Sequence, residues 1–245
     1  MEKNELASKN PNCSFCDYKK EQFPHFKRYG QGDLDRYVIA QTDHFSVKSD
    51  ILPGNPDGRH ILVHPKAHVY NHAVLGRYAN EVGALVYQLE QRMGPLVTFE
   101  HGGLKPGNSI QSIYHAHFHA YGGLDEIDVI GYMADMLSGG LSSDEIYPFE
   151  IVPAPDYTFI SNLEGRFNGI PYLYVEQGPW GLIAEDPKES MRSQITQRSM
   201  HKFFSGQELD WKQIPQNEEF AKESVRRIKN LVEFCQSGQY NTHIF

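Results

Sequence analysis

The chain has 245 residues, of which 40% are hydrophobic and 12% aromatic, and its formal net charge is −8 at pH 7. This composition is typical of a globular protein, and the length suffices for one large domain or two small ones. The negative charge argues against a nucleic-acid surface, which needs clustered Lys and Arg, although a few local donors can still hold a small anion.

Three cysteines are too few for a disulfide framework. The sequence has no run of 18 apolar residues, and its first twelve residues contain no apolar segment. We therefore expect neither a transmembrane helix nor a signal peptide, and we expect a cytoplasmic protein.

The first half of the chain predicts strands around one long helix. Residues 35–48 predict two strands around a turn, and a loop rich in Pro, Gly and Asp follows. HILVHPK predicts a short buried strand. Apolar residues then recur at three- and four-residue steps from Leu75 to Met93, which predicts a helix that Gly94 and Pro95 end. LVTFEHGG predicts the next strand.

The second half has a less regular pattern. Residues 126–140 predict a helix that ends at two glycines. The stretches YTFISNLEG, PYLYVEQG and WGLIAED predict strands. Two further helices are predicted, near residues 187–205 and 216–236.

Three histidines alternate with small or apolar residues in SIYHAHFHAYGG: His115, His117 and His119. Alternation predicts a strand with the imidazoles on one face and the apolar side chains packed inward. The closing glycines indicate a sharp turn or a close approach of other atoms. Residues two apart on a strand lie roughly 6.7 Å apart and residues four apart roughly 13 Å, so one metal ion could bind two of these histidines but not all three.

A C-x-x-C pair, Cys13 and Cys16, can supply two of the four ligands that zinc takes. His68 and His115 are candidates for the other two. His72 is an alternative third ligand, although a solvent-facing helix position is its simpler interpretation. The polar segment around the cysteines does not resemble the helix N-terminus of a redox C-x-x-C, so we favour structural zinc.

The stretch QSIYHAHFHAYGG resembles the signature of the histidine triad (HIT) superfamily, and upstream Asp50 and HILVHPKAHV match that family's strand and helix entry. The resemblance covers about residues 13–123. It implies an α+β fold, an antiparallel sheet with one long helix, and a catalytic domain over residues 1–124. Residues 125–245 weakly resemble the C-terminal part of dinucleoside polyphosphate phosphorylases, which implies a strand-and-helix extension that completes the pocket as a lid or half-barrel.

The resemblance also implies catalytic roles, position by position. His117 matches the nucleophile that attacks an α-phosphorus and carries a nucleotidyl group. A neutral imidazole held in one tautomer is chemically suited to that task. His119 matches the residue that hydrogen-bonds the transferred phosphate. Gln111 and Ser112 match residues that contact the phosphates or the leaving group.

Two further sets of residues are implied by the same resemblance. Asp50 matches an acidic residue that holds ribose hydroxyls, although a turn cap before Pro53 explains it equally well. The zinc ligands of zinc-containing members match four residues: Cys13, Cys16, His68 and His115. Glu100 and His101 stand where phosphoramidase-like members carry an Asn before a glycine, and the sequence leaves their role open.

The leading hypothesis is a nucleotidyl hydrolase that cleaves a nucleoside phosphoanhydride or phosphoramide through a covalent nucleotidyl-histidine. The alternatives are a nucleotidyltransferase or phosphorylase, a metal-dependent hydrolase in which His115 and His117 share an ion, and a non-catalytic nucleotide-binding adaptor. His119 favours hydrolysis, because the resembled transferase and phosphorylase branches carry glutamine there. The expected partner is a small nucleotide, with no nucleic acid and no membrane, and the sequence is compatible with a homodimer.

Overall fold

The structure is a computed structural model. It describes nine segments and seven single residues: 38–50, 59–69, 76–102, 115–124, 126–139, 146–154, 170–186, 195–206 and 218–237, with 13, 15, 16, 163, 166, 167 and 191. The chain forms two compact units, Met1–His68 with Gln197–Phe245 and Val69–Thr196. The division at residue 124 that the sequence suggested stays a prediction.

The described residues have an α+β fold with antiparallel strands, as the sequence predicts. The strands are β1 (Val38–Gln41), β2 (Phe45–Ser49), β3 (His60–Pro65), β4 (Leu96–Gly102), β5 (Phe118–Gly122), β6 (Phe149–Pro153), β7 (Tyr172–Gln177) and β8 (Trp180–Glu185). The helices are α1 (Ala79–Met93), α2 (Val129–Leu137), α3 (Ile195–Ser205) and α4 (Glu218–Ser237).

The first unit contains β2 paired with β1 on one side and β3 on the other. The predicted turn between β1 and β2 is confirmed, and its Thr42 Oγ1 accepts a 3.0 Å hydrogen bond from Phe45 N. Helix α4 contacts β1 and β2. It buries apolar side chains at three- and four-residue steps, among them Val225, Ile228 and Cys235, so its predicted apolar face is confirmed.

The second unit contains five strands in the order β5-β4-β7-β8-β6. Helix α1 contacts β4, and α2 contacts β7 and β8. The predicted end of α1 is confirmed at Gly94, whose φ of 79° favours glycine. Gly122 is needed for the close approach that the sequence suggested, because a Cβ there would lie 3.0 Å from Met93 O. The strand β6 was not predicted.

The histidine strand is shorter than the sequence predicts. β5 begins at Phe118, so His115 and His117 precede it and only His119 lies within it. Just before the strand, Ala116 N donates a long-range hydrogen bond to Val69 O at 2.6 Å, outside the ladder of β5 with β4. The prediction that all three histidines lie within one strand is therefore wrong.

The register of β4 places ionisable side chains on both faces of this second sheet. Residues opposite one another in an antiparallel ladder project to the same face. His119 lies opposite Phe99, and His101 opposite Leu173, on what we call the histidine face: Phe99, His101, His119, Tyr121, Leu173 and Val175. Glu100 lies opposite Tyr174 and Thr98 opposite Glu176, on what we call the tyrosine face: Thr98, Glu100, Tyr172, Tyr174 and Glu176.

Within the described ranges, no helix is both long enough and apolar enough to cross a bilayer.

Candidate active site

His117 is half-buried and is tied to the backbone beside it. Its Nδ1 lies 2.7 Å from the carbonyl oxygen of His115. A carbonyl oxygen only accepts hydrogen bonds, so Nδ1 must carry the proton. In the neutral ring the lone pair then lies on Nε2, which is the tautomer that a nucleophilic histidine needs.

His119 lies beside His117, with ring centroids 5.1 Å apart and the planes at 69°. It is buried, whereas the ring of His117 is partly accessible. The structure therefore brings the second and third histidines of the row together, as a nucleophile and a phosphate-binding neighbour would need. Gln111 and Ser112 lie outside the described residues, so their roles stay predictions.

The cysteine pair forms a tight turn next to His68. Cys16 N donates to Cys13 O at 3.1 Å, and Cys16 Sγ lies 3.3 Å from His68 Nδ1. Burial lowers the pKa of His68, which keeps its imidazole neutral and able to donate a lone pair. The ligand atoms of Cys13, Cys16 and His68, which all belong to the first unit, lie within 4.8 Å of one another, close enough to share a metal ion. Two thiols and one imidazole are three of the four donors that tetrahedral zinc takes, and His115 stays the predicted fourth ligand.

His117 belongs to neither of the groups of potential metal ligands found among the described residues. The backbone carbonyl oxygen of His115 accepts the hydrogen bond from His117 Nδ1. The pairing of His115 and His117 on one catalytic ion receives no support from this geometry.

Asp50 follows β2 and is buried, with 3% of its surface exposed. Its Oδ2 accepts a 2.9 Å hydrogen bond from Gln197 Nε2, and His60 Nε2 lies 3.5 Å from the same oxygen. Lys48 precedes Asp50 on the same face of β2. Burial lowers the pKa of Lys48 to about 7, and the charges of Asp50 and Cys13 oppose that shift.

Gln197 and His60 were not predicted as site residues. Gln197 lies in α3 and is buried, with 6% of its surface exposed. The only sequence signal was a cluster of small or amide polar residues, Thr196, Gln197 and Ser199, within a helix otherwise rich in charge and aromatics.

The two residues that the sequence left open, Glu100 and His101, lie on opposite faces of β4. Glu100 Oε2 accepts a 2.7 Å hydrogen bond from the Tyr172 hydroxyl, and both side chains are buried. His101 is on the histidine face, where burial lowers its pKa to about 4 despite the opposing charges of Asp186 and Glu100. The Glu100 carboxylate is thus hydrogen-bonded to a neighbouring strand, whereas His101 is a neutral ring close enough to His119 for the two to interact electrostatically.

No family model matches the chain, and no curated protein matches it either. Among solved structures, the chain is similar to a HIT family hydrolase from Clostridium thermocellum, with 21% identity, 47% of this chain and 94% of that chain covered, and a TM-score of 0.33. It is also similar to the yeast Ap4A phosphorylase Apa2, with 10% identity, 82% and 78% covered, and a TM-score of 0.42. A third similar structure is a uridylyltransferase, with 12% identity, 72% and 76% covered, and a TM-score of 0.31.

Proposed function

We propose that this chain is a nucleotidyl hydrolase of the HIT superfamily, which cleaves a nucleoside phosphoanhydride or phosphoramide through a covalent intermediate on His117. The observation that carries the proposal is the hydrogen bond from His117 Nδ1 to the His115 carbonyl oxygen, which leaves Nε2 as the basic nitrogen. The sequence motif around His117 supports the assignment of phosphorus as the electrophile.

The reaction has two displacements at the α-phosphorus. In the first, the lone pair of His117 Nε2 forms a nitrogen–phosphorus bond, and the bond to the leaving group breaks with its electron pair going to the departing oxygen or nitrogen. A departing nitrogen takes up a proton from solvent. In the second, a water oxygen attacks the phosphorus, its proton passes to solvent, and the nitrogen–phosphorus bond breaks with its electron pair returning to His117 Nε2. Dividing one difficult displacement into two easier ones is the benefit of covalent catalysis.

The other proposed residues bind and orient the substrate. His119 donates a hydrogen bond to the transferred phosphoryl group, which is strongest when the ring is charged. Gln111 and Ser112 contact the phosphates or the leaving group, and Asp50 accepts hydrogen bonds from the ribose hydroxyls. These roles are extensions of the motif, and each is open to substitution.

The proposed metal is one structural zinc ion held by Cys13, Cys16, His68 and His115. Bound there, zinc would crosslink the cysteine turn to His68. The chain's own residues carry the chemistry in this proposal, because the nucleophile is not a metal ligand.

The experiment is turnover of dinucleoside polyphosphates and nucleotide conjugates in ¹⁸O-labelled water, with and without excess inorganic phosphate. Hydrolysis places the heavy oxygen on the released nucleoside monophosphate. A nucleoside diphosphate formed only when phosphate is present would show a phosphorylase and contradict the hydrolase assignment. No turnover of any substrate, with nucleotide still bound, would favour the adaptor.

A further inference from the structure

The buried carboxylate of Asp50 already has a hydrogen-bond donor supplied by the protein itself. Gln197 Nε2 donates to Asp50 Oδ2 at 2.9 Å, and His60 Nε2 lies 3.5 Å from that oxygen. The exposed fractions are 3% for Asp50, 0% for His60 and 6% for Gln197. The three side chains therefore meet away from bulk water, where exchanging a hydrogen-bond partner has a large energetic effect.

The local backbone fixes this arrangement. Asp50 N donates to His60 O at 2.9 Å, so the carboxylate and the imidazole extend from adjacent points of β2 and β3. Gln197 comes from α3, a segment 147 residues further along the chain. The amide supplies this buried carboxylate with a hydrogen-bond donor, as buried charged groups require.

We infer that Gln197 is a specificity-determining residue that competes with the ribose of the substrate for Asp50. This inference rests on the proposed function, in which Asp50 accepts hydrogen bonds from ribose hydroxyls. A vicinal diol offers the same chemistry as the amide, namely donors aimed at a carboxylate. Ribose binding therefore replaces the Gln197 N–H donor with a ribose hydroxyl. The net gain in binding free energy is smaller than the gain from an additional hydrogen bond to a charged group.

Two consequences follow from this competition. A ligand without ribose hydroxyls leaves the Gln197–Asp50 bond in place, so its affinity does not depend on the amide. A ligand whose hydroxyls bond to Oδ2 competes with the amide for that oxygen, so the protein binds its nucleoside monophosphate product less tightly than it would without the amide. Removing the amide should strengthen binding of the ribonucleotide alone.

The test compares Gln197→Met with the wild type. Methionine keeps the length and much of the packing of glutamine but has no N–H donor. Calorimetric titration would use the four common ribonucleoside 5′-monophosphates and their 2′,3′-dideoxy analogues. A hydrogen bond to a charged group supports a gain of about tenfold in affinity for the best ribonucleotide, with the dideoxy analogue unchanged within about twofold.

Three further variants make the result decisive. Ser205→Ala changes an exposed residue of the same helix and should leave both affinities unchanged. Asp50→Asn combined with Gln197→Met should abolish the gain. Gln197→Asn retains an amide that is too short to reach Asp50, and it should reproduce the gain if Gln197→Met does not fold.

Equal affinities in Gln197→Met and the wild type, parallel weakening of both ligand types, or no binding of any monophosphate would each overturn the inference. The binding readout needs no turnover. Tighter ribonucleotide binding in a protein that forms no product would therefore contradict the proposed reaction alone, and normal turnover without the gain would contradict this inference alone.

Discussion

The two faces of the sheet in the second unit bury ionisable groups in different ways. On the tyrosine face each glutamate accepts a hydrogen bond from a tyrosine: Tyr172 donates to Glu100 and Tyr174 to Glu176, both at 2.7 Å. On the histidine face the His119 ring contacts the His117 ring edge to face. His117 itself is held by a backbone carbonyl.

The difference lies in which atoms remain chemically useful. Each glutamate of the tyrosine face is buried and accepts a hydrogen bond from a tyrosine of β7. The tyrosine hydroxyl stabilises the charge of that carboxylate. A histidine that donates through Nδ1 keeps its second nitrogen for a substrate. Burial of a titratable group is therefore weak evidence of catalysis, and the partner of each polar atom is stronger evidence.

The largest expected effect separates the two faces by activity. His117→Gly should lower turnover by at least about 10³-fold, because the covalent route loses its nucleophile. Glu176→Gln, the matched control on the tyrosine face, should keep kcat and KM within about twofold, since Tyr174 can still donate to the amide oxygen. Steady-state kinetics on both variants checks this prediction. Equal losses in the two variants would remove the functional distinction between the faces.

Metal removal should affect stability most. Extracting zinc with a chelator should lower Tm by about 10 °C or more, because a structural site contributes several kcal/mol to folding. Metal analysis of protein purified without added zinc should give about one equivalent per chain. Cys235→Ser is the matched control, since Cys235 is buried in α4 and outside the cysteine–histidine cluster.

That control variant should retain its zinc, whereas Cys16→Ser should lose it. A metal-free preparation that melts at the same temperature as the purified protein would contradict the structural site.

The tyrosine face should control how stability depends on pH. Burial raises the pKa of Glu176 from 4.5 to about 7, aided by the charge of Glu90 and opposed by the Tyr174 hydrogen bond. The folded protein thus holds this proton more tightly than the unfolded chain, and the contribution of Glu176 to stability falls as pH rises from about 4.5 to about 7. The glutamine side chain of the Glu176→Gln variant does not titrate, so the variant lacks this pH dependence.

We therefore expect Glu176→Gln to match the wild type at pH 5 and to exceed its free energy of unfolding by about 1–3 kcal/mol at pH 8. Urea denaturation at the two pH values gives the comparison. A constant difference between variant and wild type across this range would show that Glu176 does not titrate in the folded protein.

The smallest expected effect concerns Glu100. Tyr172→Phe removes the hydroxyl that donates to Glu100 and should lower the free energy of unfolding by about 1 kcal/mol at pH 7, with kcat and KM unchanged. A fall in kcat in this variant at unchanged stability would contradict a structural role for Glu100 and indicate a catalytic one.

Local patterns predicted much of this fold. The apolar spacing of α1 and α4 and the turn between β1 and β2 depend on neighbours a few residues away. β6 escaped prediction because its side chains are mostly exposed or half-buried and show no apolar alternation. The residues just before β5 are held by the bond from Ala116 N to Val69 O, a long-range contact that no local pattern encodes.

The site divides in the same way. Cys13, Cys16, His68 and His115 were predicted from ligand chemistry and the family motif, and the structure places the ligand atoms of the first three together in the first unit. Gln197 could not be predicted, because its partner Asp50 lies 147 residues away and the polar cluster of α3 does not show which side chain binds a distant carboxylate.

The central claim is that His117 carries the nucleotidyl group. The most direct measurement is intact-mass and peptide mass spectrometry of enzyme mixed with substrate and quenched without acid, which preserves a phosphorus–nitrogen bond. We predict a mass increase of one nucleotidyl group on the peptide that contains His117, and none in His117→Gly. An adduct on another residue, or near wild-type turnover by His117→Gly, would contradict the account.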